Sequence, residues 1–153
     1  MARNKRIWYI LFALYCAVMV YLLFGRAEAP AGIPYSRQLT MRLNLIPFRT
    51  LRLQLRLLFD GSRPWLIRHA AINLLGNIVL FIPLGSFLPK LWIKSPQLWK
   101  VLLCVTGIIA LVETVQVLTL LGRCDIDDLL LNLLGSAIGY GLYNQIENKR
   151  LPG

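Results

Sequence analysis

The chain has 153 residues, 57% of them hydrophobic, with a mean hydropathy of +0.59. Its apolar residues come in long runs rather than amphipathic stripes, which excludes a small soluble domain and indicates a polytopic membrane protein. A formal charge of +10 often accompanies nucleic-acid binding. In a chain this apolar, however, basic residues between spans set topology or meet anionic headgroups, so no nucleic-acid partner is expected.

Ile7 to Phe24 is an uninterrupted apolar run, with Arg3, Lys5 and Arg6 before it and Arg26 after it. It is long enough to span and ends in Phe24-Gly25-Arg26 rather than a small-residue cleavage site. A retained first span over 7–24 is therefore predicted, not a signal peptide. Cys16, Cys104 and Cys124 are an odd set without metal-ligand spacing, so no disulfide, metal or cofactor is expected.

Gly25 to Arg68 is longer than an ordinary loop and is expected to carry structure and function. It contains Arg26, Arg37, Arg42, Arg49, Arg52, Arg56, Arg63 and Arg68, no lysine, and only Glu28 and Asp60 in opposition. Arg42, Arg49, Arg56 and Arg63 recur every seventh residue, with Arg52 on the same side, whereas Leu51, Leu55 and Leu58 fall on another. Residues 51–57 also alternate strictly, a strand pattern. Leu, Arg and Gln are good helix formers, and a lone strand leaves its backbone unpaired near lipid. An amphipathic interfacial helix after Pro47 is the reading adopted.

The second span is placed at 68–88, with His69, Asn73 and Asn77 spaced by four on one face; His69 reads as a polar anchor. Pro83 and Gly85 mark a kink in that span, and Lys90, Trp92, Lys94, Ser95 and Pro96 form a basic turn with an interfacial aromatic. The third span, 99–121, carries Glu113 and Gln116. The fourth, 126–143, carries Asn132 and Gly135-x-x-x-Gly139, a close-packing seam. The expected fold is thus all-α: a polytopic membrane protein of four transmembrane helices, with an interfacial helix in the first connection and a single membrane domain over 1–153.

Four spans place the first and third connections on one side of the membrane. At about 1.5 Å per residue, Asn73, Asn77, Glu113, Gln116 and Asn132 then lie roughly 8–14 Å below that surface, all in one half of the bilayer. Glu113 and Gln116 share a helical face, as do Asp125, Asp128 and Asn132. The set converges on a polar pocket lined from above by arginines. Asp125 after Gly122 is expected to cap the fourth helix, with Asp128 assisting the first turn. The asparagines and Gln116 can equally be interhelical hydrogen-bond glue. A carboxylate buried at Glu113 needs a cation or a proton, and Arg123 or Arg49 is its expected partner.

Four stretches carry a resemblance: Asn44-Leu-Ile-Pro-Phe-Arg49, residues 73–85, Glu113-Thr-Val-Gln116 and Arg123-Cys-Asp-Ile-Asp-Asp-Leu-Leu-Leu-Asn-Leu-Leu-Gly135. In this order they make the chain resemble the VanZ family of small bacterial membrane proteins, linked to resistance against teicoplanin and related lipoglycopeptides. The resemblance implies that Asn44, Arg49, Asn77, Glu113, Gln116, Arg123, Asp125, Asp128 and Asn132 form the family's polar signature. It supplies a class and a residue set, not a mechanism.

Basic residues divide almost evenly between the two sides, eight on the side of the termini and nine on the other. The first helix with its leading Arg-Asn-Lys-Arg favours cytoplasmic termini in a bacterial plasma membrane, with the pocket outward. The expected function is a VanZ-like envelope protein whose pocket binds an anionic lipid or lipid-linked cell-wall precursor and so lowers engagement of lipoglycopeptides at the surface. No established catalytic motif is present. An enzyme modifying a lipid headgroup, with Glu113 or Asp128 as base, is the alternative, and a passive assembly protein a further one. A metal-assisted mechanism lacks the second Asp-rich motif it would need. The oligomeric state is left open.

Overall fold

The computed structural model describes residues 2–25, 32–60, 63–93 and 95–150. Arg26, Glu28 and Lys94, which enter the charge pattern, lie outside the described residues. Six helices and one short ladder follow in the order α1 (Ala2–Phe24), α2 (Tyr35–Met41), β1 (Leu43–Asn44), α3 (Arg49–Asp60), α4 (Pro64–Leu91), α5 (Leu98–Leu118), β2 (Cys124–Asp125) and α6 (Ile126–Arg150). The helical class is as expected. The parallel ladder is not: Leu43 pairs with Cys124 and Asn44 with Asp125, and two residues are too short a stretch to leave a periodic signal.

Among the described residues, three helices are long and apolar enough to cross a membrane: Lys5–Phe24, Pro64–Leu91 and Leu98–Leu118. The second exceeds its expected bounds of 68–88, because Pro64 opens the helix where its missing N–H costs nothing. Pro83 lies inside it without ending it. The third stops at Leu118 instead of continuing to 121, since Leu120 takes a left-handed conformation (φ 59°) and the Leu121 and Gly122 amides fold back onto the Gln116 carbonyl.

The expected fourth span, α6, falls below these three in apolarity because of what it buries. Leu130, Leu134, Ile138, Leu142 and Ile146 form an exposed stripe every four residues, while Asp127, Asn132 and Ser136 are buried. It packs parallel to α4 with a constant offset. An added Cβ at Gly135 would meet the Ile78 carbonyl at 2.1 Å, and one at Gly139 the Ile82 carbonyl at 1.9 Å. Ser86 Oγ donates to the Gly139 carbonyl (2.8 Å), and Lys90 pairs with Glu147 at the far end. The Gly-x-x-x-Gly seam therefore acts as a packing surface.

α1 stands against α4 through an aromatic cluster in which Phe12 meets Phe87 and Trp92 edge-on, and Tyr15 Oη donates to the Leu80 carbonyl (2.9 Å). The core joins Met19, Phe81, Leu84, Leu88, Val101, Val105 and Ile109.

Candidate functional site

The three aspartates after Arg123 each serve a different element. Asp125 caps α6: its Oδ1 accepts from the Asp127 amide (3.0 Å). Its Oδ2 accepts from Thr50 Oγ1 (2.5 Å) and Asn44 Nδ2 (3.1 Å), tying the ladder to the start of α3. The expected cap is present, and Asn44 and Asp125 belong to this lock rather than to a cavity wall. Asp128 lies in the first turn of α6 as expected, and it also reaches α4. Its Oδ1 accepts from Asn77 Nδ2 (2.6 Å) and, more weakly, Asn73 Nδ2 (3.5 Å), which joins α6 to α4.

Asp127, absent from the sequence-predicted set, is only 1% exposed. Its Oδ1 accepts from the Phe48 amide (2.6 Å) and its Oδ2 from the Leu51 amide (3.0 Å), so it caps α3 from a distant part of the chain. Phe48 takes a left-handed backbone (φ 62°), which a non-glycine residue keeps only when its surroundings hold it. A signal was present in the sequence: Pro47-Phe48 supplies no capping side chain, so the α3 amides needed an acid from elsewhere.

A cavity of about 410 Å³ lies between α1 and the α4, α5 and α6 group, within the range of small-molecule sites. At the end facing the connections it is lined by Asn77, Glu113, Gln116, Arg123, Asp128 and Asn132. Further along, its walls are apolar, with Phe12, Met19, Leu80, Leu84, Ile108 and Ile109. Six of the ten expected site residues therefore do converge on one cavity. Asn73 stands behind Asp128, Asn44 and Asp125 form the lock, and Arg49 lies elsewhere.

The expected arginine partner of Glu113 is a correction. No arginine among the described residues lies within 4.0 Å of its carboxylate, and Oε2 accepts from Cys124 Sγ (3.3 Å). Arg123 lines the same cavity but is solvent-exposed. Arg42 donates to the Gly122 carbonyl (2.8 Å). Arg49, Arg52 and Arg56 line a separate groove on the outer face of α3, because the helix turns Leu51, Gln54 and Leu58 inward and leaves its arginine side exposed. Among the described residues, no arginine of the long connection lines the cavity.

Gln116, 8% exposed, donates to the Leu23 carbonyl (2.8 Å) at the end of α1, as interhelical glue would. Asn132, 6% exposed, keeps a side-chain oxygen that finds no donor among the described residues. Burial pushes the Cys124 thiol up to about 11, and its hydrogen bond to Glu113 acts in the same direction; it is a neutral donor at pH 7.

Apolar helices with exposed hydrophobic faces, enclosing a cavity that is polar at one end, define a membrane protein built around an internal polar site. The VanZ/LLP1 family model matches residues 12–147, which is most of the chain and includes every cavity residue named above. The chain belongs to this family. Comparison with curated proteins and with solved structures finds no match.

Proposed function

We propose that this VanZ-type membrane protein holds a membrane lipid or lipid-linked cell-wall precursor, its headgroup among Glu113, Asp128 and Asn132 and its chain along the apolar wall. The observation that carries this reading is the continuity of one cavity from a polar end to an apolar one, which matches an amphiphile rather than a water-soluble metabolite. In this reading α6 is the fourth span, since it runs beside α4 and turns an apolar stripe outward. α3 lies in the headgroup layer, with Leu53, Leu55 and Phe59 exposed beside Arg52 and Arg56. The termini are cytoplasmic and the cavity's polar end faces outward in a bacterial plasma membrane. Sequestering or shielding the lipid there lowers lipoglycopeptide engagement at the surface.

The test is to purify the protein in mild detergent and identify bound lipid by native mass spectrometry, beside Ile108→Trp, which fills the apolar end. A discrete lipid adduct in the wild type and its loss in the variant, at unchanged melting temperature, are expected. An adduct that persists in the variant places the lipid elsewhere. Lipids chemically altered in expressing cells would instead favour the headgroup-modifying enzyme, with Glu113 or Asp128 as its base.

A further inference from the structure

The polar end of the cavity has more acceptors than donors. Glu113 and Asp128 bring two carboxylates to its wall. The amide donors nearby are engaged: Asn77 Nδ2 on Asp128 and Gln116 Nε2 on Leu23. Against these stands, among the described residues, one guanidinium, Arg123, exposed and placed before the first turn of α6. A bare phosphate entering this end would bring further acceptors and negative charge to two acids, the reverse of what the wall requires.

We propose, resting on the lipid-binding reading above, that the group seated among Glu113, Asp128 and Asn132 is a primary ammonium. It belongs to an amphiphile whose phosphate stays outside, beside Arg123: an aminophospholipid, or a lipid-linked precursor bearing a free amine. Its N–H donors and its positive charge match the two carboxylates. A quaternary ammonium carries the charge but no N–H, and a glycerol headgroup offers donors without the charge.

The test titrates the purified full-length protein with phosphatidylethanolamine, phosphatidylcholine and phosphatidylglycerol of identical acyl chains, read by native mass spectrometry. The ethanolamine lipid is expected to bind at least about tenfold more tightly than either of the others. In Glu113→Gln combined with Asp128→Asn, which keeps shape and removes charge, that preference should fall to about one. Should the double variant not fold, Glu113→Gln alone is expected to lose part of the preference, and the wild-type ranking needs no variant. Equal affinity for all three lipids, or a preference for phosphatidylglycerol, overturns the ammonium assignment while leaving a lipid site. Absence of any lipid adduct overturns the lipid-binding reading itself. Mass analysis of lipid co-purified from cells separates the two amine sources.

Discussion

Removing the carboxylate of Asp127 strips the acceptor from two backbone amides at once, Phe48 and Leu51, inside a site almost closed to solvent. A hydrogen bond to a charged group is worth about 1.5–3 kcal/mol. Asp127→Ala is therefore expected to cost roughly 3 kcal/mol, seen as a clear drop in melting temperature in detergent. Asp127→Asn keeps one acceptor and should fall between. Cys124 offers a second residue-scale prediction. Its thiol is held protonated first by burial and then by its bond to Glu113. In a protein carrying Cys16→Ser and Cys104→Ser, maleimide labelling of Cys124 at pH 8 should be slow, and Glu113→Gln should accelerate it severalfold by lowering the thiol pKa. An unchanged rate would mean that the contact with Glu113 is not maintained. The sequence pattern grouped Asp125, Asp128 and Asn132 by helical spacing and passed over Asp127 because its partners are backbone amides 79 and 76 residues away. Side-chain periodicity carries no record of such a partner.

At the scale of elements, the contact between α4 and α6 is set by three glycines whose missing side chains let backbone meet backbone. Gly85 would place a Cβ 2.0 Å from the Ser136 carbonyl, and Gly135 and Gly139 do the same against α4. Gly139→Ala must separate the two helices and is expected to cost about 1–3 kcal/mol, the usual penalty of overpacking. Gly141→Ala, where nothing lies within 4 Å, should be neutral or slightly stabilising; melting curves of the two variants measure the difference. The helical faces and the seam were legible because each follows a period of three or four residues. The extent of α6 to Arg150 was less so, because its last turns carry Gln145, Asn148 and Lys149 on exposed positions, a polar end that reads as the close of an apolar span. The strand-like alternation of residues 51–57 misled in principle but not in outcome: α3 is a helix.

For the whole molecule, the β1–β2 ladder and the Asp127 cap bind the first connection to the third, so both lie on one side of any membrane the helices cross. That joint placement was legible from the alternation of spans, and it grouped Asn77, Glu113, Gln116 and Asn132, which line one cavity, together with Asn73, which does not. The placing of the arginines was not legible, since a count of charges on a connection does not fix which way a capped helix turns them. The ladder also constrains topology. With α4 and α5 both crossing, the α4–α5 turn lies opposite the ladder, and if α1 and α6 cross as well, so do both termini. In intact cells carrying single-cysteine variants on a cysteine-free background, Arg63→Cys is then expected to react with a membrane-impermeant maleimide. Ser95→Cys should react only after permeabilisation, and reporter fusions at either terminus should give the same cytoplasmic signal. Labelling of both cysteines from outside would break the crossing of α4 and α5. Opposite signals from the two termini would leave α1 or α6 outside the bilayer, and with it the outward stripe of α6 without a lipid to face.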